Sequence, residues 1–253
     1  IPMDEDLRRR IWKRRNHIIP SILAQYPNGL KESSVCDLGA NSGFWGREFA
    51  DHGAKVTCVE PRRENTAQAK AIAEILGDKG MNWIQETAEE FLEKSDTQYD
   101  IVLLLGLLYH VSDPMALLKS AVRHARDLIV VDSHCINDDS PYFEVRNETS
   151  NDITQGVEEI ILLPSRGAIF WMMRSCGYKH IMELENVGDL PDDYLSFNRC
   201  TFMIRRNDAL VTPPSKNGLM RCDTELNAAY PNLEPASRLI RSESRIRRRN
   251  DAK

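Results

Sequence analysis

The stretch Asp37-Leu38-Gly39-Ala40-Asn41-Ser42-Gly43-Phe44 decides the fold of this chain. It follows the short apolar run Ser34 to Leu38 and leads into a segment with helical spacing, residues 43–52. Glycines allow the backbone to turn tightly and to approach a ligand where a Cβ atom would clash. We therefore predict a ligand-binding loop that joins the first strand of an α/β sheet to the helix after it.

The spacing of the two glycines narrows the class of ligand. Gly39 and Gly43 are separated by three residues, whereas a dinucleotide-binding loop has the pattern GxGxxG. The Gly-Lys-Ser/Thr of a phosphate-binding P-loop is missing. Asp37, the acid before the first glycine, would repel a pyrophosphate but suits a cofactor that carries an ammonium group. The loop therefore favours a cofactor that carries an ammonium group.

Strand and helix signals alternate after the loop. Further strands are predicted at 55–60, 81–85, 99–105 and 128–132, and helices at 63–76, 87–94 and 114–125. This alternation predicts βαβ units and a mostly parallel, Rossmann-like sheet with helices on both faces. The uniformly apolar fourth and fifth strands are typical of a sheet that is buried on both sides.

The pattern changes after residue 132. Residues 134–163 are polar, and we predict them to be irregular with a helical patch, whereas 165–176 has the spacing of a helix. Two strand-like runs follow, at 179–187 and 199–206. These two runs predict that the last strands of the sheet are antiparallel.

Both ends of the chain differ from this central region. Residues 3–26 show a helical period, with Pro20 as a break or as the first turn of a second helix. The last segment is rich in Pro, Asn and Arg, with a helix expected at 234–249. We therefore predict three parts: an N-terminal helical cap (1–30), a sheet domain (31–206) and a C-terminal appendage (207–253).

An acid follows the second predicted strand, at the edge where ligands of such sheets bind. Glu60 stands at the carboxyl end of that strand, before Pro61. A carboxylate there can accept hydrogen bonds from both hydroxyls of a ribose. Glu60 is therefore our candidate for the residue that binds an adenosine ribose.

With this loop and this acid, the sequence resembles the class I S-adenosylmethionine-dependent methyltransferases. Further motifs are Glu86-Thr87-Ala88, where the family commonly has Asp before Ala, and the segment from Tyr99 through Leu108-Tyr109-His110. The resemblance implies S-adenosylmethionine as the cofactor. The cofactor contacts that it implies are Asp37, Gly39, Asn41, Gly43, Glu60, Thr87, Ala88, Leu105 and Tyr109.

Within that class, residues 106–114 resemble the Gly-x-Leu-Tyr-His-x-x-x-Pro signature of the tRNA wobble-uridine methyltransferase-like group. The resemblance implies that Tyr109 lies beside the methionine end of the cofactor. In the tRNA enzyme this tyrosine helps to hold a carboxylated cofactor, together with a lysine and an arginine. Lys13 and Arg199 are our candidates for those two partners.

Residues after the fifth strand are candidates for contacts with the methyl acceptor. Tyr142, Arg146 and Asn147 lie where this class places its substrate. His110, His134 and Glu144 are candidate catalytic bases among which the sequence does not choose, and His110 could equally be a core histidine. The acids between Asp132 and Glu148 have no regular spacing, so we predict no metal site.

Composition favours a small-molecule acceptor. The net charge is −5, although basic residues crowd both ends, at 8–15 and 238–249. Two alternatives stay open: a tRNA-modifying enzyme whose basic ends bind phosphates, and a non-catalytic methyltransferase-like module. Six scattered cysteines, no long apolar run and no signal-peptide pattern lead us to expect a cytoplasmic protein with reduced thiols and no membrane partner.

Overall fold

The predicted alternation forms the centre of an eight-stranded mixed sheet. The computed structural model describes residues 5–148, 156–178, 180–186, 188–206 and 220–221. The strands are β1 (Ser34–Leu38), β2 (Lys55–Val59), β3 (Asn82–Ile84), β4 (Tyr99–Leu105), β5 (Ala125–His134), β6 (Phe143–Asn147), β7 (Ile160–Pro164), β8 (His180–Leu184), β9 (Arg199–Arg205) and β10 (Met220–Arg221). The α-helices are α1 (Glu5–Leu23), α2 (Phe44–Asp51), α3 (Arg63–Leu76), α4 (Ala88–Lys94), α5 (Pro114–His124), α6 (Arg166–Ser175) and α7 (Asp192–Leu195).

The order of the strands creates one crevice at the carboxyl edge of the sheet. The order is β10-β8-β9-β5-β4-β1-β2-β3. Strands β1 to β5 pair in parallel, whereas β9 pairs antiparallel with β5 and β8, as the sequence predicted. The chain moves outward from β1 to β3 and returns as β4 on the other side of β1. Ligands of such sheets bind at this switch point, beyond the carboxyl ends of β1 and β4.

Helices cover both faces of the sheet, and each face has its own apolar core. Helices α4, α5 and α6 pack on one face against residues such as Val102, Leu104 and Ile129. Helices α1 and α2 pack on the other, where Ile18 of α1 is fully buried with Leu103 of β4. The first helix thus shares a core with the sheet; the division at residues 30 and 206 stays a prediction.

The segment predicted to be irregular is largely extended, so the expected helical patch is wrong for its described part. Strand β5 continues to His134, and β6 and β7 form a separate antiparallel pair. The pairing joins Val145 to Leu162 and Arg146 to Ile161. Such a pair depends on contacts between distant residues, which helical or strand periodicity within one segment does not reveal.

Pro20 does not break the first helix, which runs without interruption from Glu5 to Leu23. A proline inside a helix removes one backbone hydrogen bond. Here the residues around it, Ile18, Ile19 and Ile22, are buried in the core, and this packing offsets the loss. The helix expected at 234–249 lies outside the described residues.

Candidate active site

The glycine-rich loop after β1 adopts a backbone that favours glycine. Gly39 and Gly43 have φ values of +72° and +83°. A Cβ atom on Gly43 would lie 2.8 Å from a ring carbon of Trp83, and one on Gly39 would lie 3.1 Å from the Leu107 side chain. The loop therefore turns between β1 and α2 at a place where a larger side chain has no room.

Asp37 lies beneath this loop rather than in the cavity beside it. Its side chain is buried, and Oδ2 accepts a hydrogen bond of 3.1 Å from the backbone N–H of Gly46 in α2. Burial raises the pKa of Asp37 to about 7, against the effect of that hydrogen bond. The carboxyl thus positions the loop and α2, whereas we expected it to contact the cofactor directly.

Glu60 is held in a fixed orientation at the edge of the cavity. Its Oε2 accepts a hydrogen bond from Asn41 N at 2.9 Å. Its Oε1 accepts from Arg62 N and from Nδ2 of Asn65, both at 3.0 Å. A carboxylate has about four lone-pair sites, so this one can still accept from a ligand.

The first cavity lies at the switch point and includes about 810 Å³ of empty space, part of it open to solvent. Five predicted cofactor residues line it: Gly39, Asn41, Glu60, Thr87 and Ala88. The lining also includes residues that we did not predict, among them Arg62, Asn65, Leu107, Val111 and Gly156. Asp37, Gly43, Leu105 and Tyr109 are not part of this lining.

Thr87 serves mainly as the cap of α4. Its hydroxyl accepts a hydrogen bond from Glu90 N, and the Glu90 carboxylate accepts one from Thr87 N, both at 3.2 Å. This reciprocal pair satisfies backbone donors at the start of the helix. Thr87 and Ala88 therefore line the cavity as the well-fixed first residues of α4. In the family that the sequence resembles, the adenine ring lies beside this segment.

Tyr109 stands between two histidines and an arginine. Its ring centre is 4.0 Å from that of His110 and 4.8 Å from that of His134. The guanidinium carbon of Arg199 lies 5.7 Å from the centre of the same ring. Lys13, our other candidate partner, is instead paired with Asp189 at 2.5 Å.

His110 forms a pair with Glu148, a residue that sequence reasoning missed. Nδ1 of His110 lies 2.7 Å from both carboxylate oxygens of Glu148. Burial lowers the pKa of His110, and the Glu148 carboxylate opposes this shift. A carboxylate on Nδ1 favours the tautomer that carries its proton there, which leaves Nε2 as the nitrogen able to accept a proton.

A second cavity, with about 1100 Å³ of empty space partly open to solvent, lies next to the first, because Glu148 in its lining contacts His110 in the lining of the first. Its lining includes Tyr109, His134, Glu144, Arg146, Asn147 and Glu148. The structure thus brings together most of the residues that we predicted to be catalytic or to bind the acceptor. Tyr142 lies apart from this lining and is 40% exposed.

The remaining candidate bases differ in their surroundings. Burial, aided by the charge of Arg199, lowers the pKa of His134 to about 4, so its ring is neutral at physiological pH. Glu144 is about half exposed and is paired with Arg146 at 2.9 Å. The ring nitrogens of His134 lie 3.4 Å from Nη2 of Arg10 and from the Asn198 carbonyl oxygen, longer contacts than the 2.7 Å between His110 and Glu148.

The described part of the chain contains neither a candidate metal site nor a candidate membrane-spanning helix. No group of three or more His, Cys, Asp or Glu side chains there could hold a metal ion. No helix among the described residues is long and apolar enough to cross a bilayer.

Comparison with known proteins identifies the family. A family model described as a methyltransferase domain matches residues 8–181, and the chain belongs to this family. Its fold is that of the class I S-adenosylmethionine-dependent methyltransferases, as the sequence predicted, and S-adenosylmethionine is the cofactor of that class.

Individual relatives cover parts of the chain. The ubiquinone biosynthesis O-methyltransferase of Aliivibrio fischeri is 27% identical over 128 residues, which are 47% of this chain and 54% of that protein. The chain thus spans about half the length of the curated relatives it matches.

Solved structures show the same fold at lower identity. The N-terminal domain of EvdMO1 with S-adenosylhomocysteine bound has a TM-score of 0.57 and 22% identity, covering 74% of this chain and 81% of that one. The 1,6-didemethyltoxoflavin-N1-methyltransferase of Burkholderia thailandensis has a TM-score of 0.54 and 15% identity, covering 79% and 82%.

Proposed function

We propose that this protein transfers the methyl group of S-adenosylmethionine to an oxygen or nitrogen atom of a small molecule. The observation that carries the proposal is the pair of neighbouring cavities, one lined by His110 and the other by Tyr109 and Glu148. The first contains the glycine loop and the ribose acid, and the second contains polar groups suited to an acceptor. Cavities of this size suit a small molecule.

The residues of the first cavity fit the adenosine part of this cofactor. A ribose diol offers two O–H donors, and Glu60 is an oriented acceptor at the cavity edge. Ala88, Leu107 and Val111 provide apolar walls of the kind that a purine ring requires. Gly39 keeps the loop free of a side chain beside them.

We assign the proton transfer first to His110. When bound, S-adenosylmethionine supplies a methyl group that an acceptor can attack in line with its sulfonium. An acceptor hydroxyl or protonated amine needs a base, and its proton would pass to Nε2 of His110. Glu148 would stabilise the imidazolium that forms. His134 and Glu144 are the second and third candidates, because burial lowers the pKa of His134 to about 4 and Glu144 is already paired with Arg146.

The named relatives support the choice of acceptor class. Their names describe an O-methyltransferase of ubiquinone biosynthesis and an N1-methyltransferase of a toxoflavin precursor. Both acceptors are small molecules, which agrees with the two cavities and with the net charge of −5. A cytoplasmic location remains our expectation from the sequence.

Methyl transfer from labelled S-adenosylmethionine to a panel of phenols, catechols and aromatic amines tests the proposal. We expect S-adenosylhomocysteine to form and one acceptor to gain a methyl group by mass spectrometry. His110→Asn should slow turnover roughly 10²- to 10⁴-fold. His52→Asn, at an exposed position after α2, is the matched control. Equal activity of both variants would contradict the role of His110.

One arrangement favours a second candidate, membership of the tRNA wobble-uridine methyltransferase-like group. Three donors surround the point that a Cβ atom of Gly106 would occupy: Nη2 of Arg199 at 3.4 Å, the Tyr109 hydroxyl at 3.8 Å and Nη2 of Arg14 at 3.9 Å. Nη2 of Arg14 and of Arg199 already donates to Asp132 at 2.6 Å, so each would offer only its second N–H to a carboxylate of the cofactor. In this candidate Arg14 would take the role for which we had named Lys13.

The two candidates differ in the cofactor that binds best. The second predicts that carboxy-S-adenosylmethionine binds at least about tenfold more tightly than S-adenosylmethionine, a difference of about 1.4 kcal/mol. Titration calorimetry with both cofactors measures this ratio. Equal affinity, or tighter binding of the uncarboxylated cofactor, would leave the small-molecule methyltransferase as the better candidate.

A further inference from the structure

A continuous set of hydrogen bonds leads from the ribose acid to the candidate base. Glu60 Oε1 accepts from the backbone N–H of Arg62, and Nη2 of Arg62 donates to the Gly156 carbonyl oxygen at 2.6 Å. The Gly156 N–H in turn donates to Glu148 Oε2 at 2.9 Å, and Glu148 holds His110. The contacts therefore join both ends of the first cavity through three residues of the chain.

Gly156 is the most closely packed residue of this connection. Its N–H also lies 3.2 Å from Nδ1 of His110, but a protonated Nδ1 cannot accept, so Glu148 is its acceptor. A Cβ atom on Gly156 would lie 2.5 Å from the His110 carbonyl oxygen and 2.9 Å from the His110 Cβ atom. The residue is thus packed directly on His110, with no room for a side chain.

The same residues form part of the wall of the first cavity. Arg62, Gly156, Val157 and Glu158 line it together with the glycine loop, and Glu158 accepts a hydrogen bond from Ser112 N at 2.5 Å. A ligand on Glu60 therefore lies against the contact between Arg62 and Gly156. Moving that contact would also move the partner of Glu148.

We propose that Arg62 and Gly156 form a positioning link that aligns the His110–Glu148 pair when the cofactor fills the first cavity. The role of His110 as a base rests on the proposed function, whereas the link itself concerns cofactor binding and the orientation of His110. Arg62 is a positioning residue, because it acts on His110 through Gly156 and Glu148. An acceptor would then meet an aligned base only after the cofactor has bound.

Dissociation of S-adenosylhomocysteine from the whole protein gives the first test. Arg62→Met should speed dissociation at least about fivefold, because the cavity wall loses its contact with Gly156. Arg62→Lys should restore part of the wild-type rate, since an ammonium group can also donate to the carbonyl. Arg63→Met, at the exposed neighbouring position, is the control and should behave as wild type. A thermal melt of each variant verifies that it is folded.

The ring nitrogen resonances of His110 give the second test, which a purely structural role of Arg62 would not affect. In the wild type, S-adenosylhomocysteine should change the ¹⁵N shifts of His110, identified by their loss in His110→Asn. In Arg62→Met and Gly156→Ala that response should fall by more than half. Faster dissociation with an unchanged His110 response would overturn the link, as would variants that match the wild type in both measurements.

These outcomes separate the link from the proposed function. An intact His110 response without methyl transfer to any acceptor would overturn the methyltransferase activity and leave the link standing. If the wild type does not bind S-adenosylhomocysteine, both the link and the proposed function are wrong.

Discussion

Nη2 of Arg14, on the first helix, donates a hydrogen bond of 2.6 Å to Oδ1 of Asp132 at the end of β5. Arg199 donates to the same oxygen through Nε and Nη2, while Tyr194 and Thr201 donate to Oδ2. Burial alone would raise the pKa of Asp132, but the charges of Arg199 and Arg14 hold this pKa well below its usual range. One buried carboxylate thus ties α1 and β9 to the edge of the sheet beside Tyr109.

Asp132→Asn should lower the free energy of unfolding by about 3–5 kcal/mol, because two guanidinium groups lose their buried counter-charge. Since the folded-state pKa of Asp132 is depressed, its contribution is present above the unfolded pKa of about 3.9 and is lost as the pH falls further. Urea unfolding at neutral pH measures the effect. Asp96→Asn, at an exposed position, should change stability by less than about 0.5 kcal/mol. Similar losses in the two variants would contradict the assigned role.

Asp37→Asn should change how stability depends on pH. The folded-state pKa of Asp37 is about 7, above the unfolded value of about 3.9, so the folded protein holds this proton more tightly. Its contribution is therefore full below pH about 4 and is lost as the pH rises through about 7. Relative to the variant, the wild type should lose on the order of 2–4 kcal/mol across that window. Unfolding curves that run parallel across the window would show that Asp37 is not perturbed.

Glu60→Gln should weaken the binding of S-adenosylhomocysteine by at least about 1 kcal/mol, because a charged acceptor for the ribose is lost. Titration calorimetry measures the change. Glu64→Gln, exposed in the first turn of α3, is the control and should bind as the wild type does. Glu89 is exposed but lines the cavity, so it is unsuitable as a control. A loss in Glu64→Gln equal to that in Glu60→Gln would mean that the ribose acid is misassigned.

Bulk tRNA should bind weakly, and the binding should vanish by physiological salt. Four arginines of the N-terminal basic segment are already paired with acids: Arg9, Arg10, Arg14 and Arg15. Paired arginines add little to the positive field that attracts phosphates. A gel-shift series across salt concentrations measures the slope, which reflects the number of phosphates contacted. Tight, strongly salt-dependent binding would favour the tRNA enzyme instead.

The sequence by itself determined the central sheet and the cofactor edge, because both depend on short-range patterns. The run from Asp37 to Gly43 needs only its own glycines and the flanking periodicities to specify a strand, a tight turn and a helix. Glu60 then follows from its place at the end of β2, since the carboxyl ends of parallel strands share one edge. The sequence also predicted that α3 ends at residue 76, and the next residue, Gly77, has a φ value of +87°.

Only the tertiary structure decided what each polar side chain faces. Asp37 precedes the glycine loop, yet its carboxyl turns inward to Gly46, because the backbone after it places α2 over the side chain. His110 and Glu148 are 38 positions apart and meet only because β6 and β7 pair beyond the sheet. Local propensity specifies a strand or a helix, whereas a hydrogen bond between distant residues requires the path of the whole chain. That path makes His110 part of a partly buried pair with Glu148, whereas its sequence position alone did not decide between a core histidine and a base.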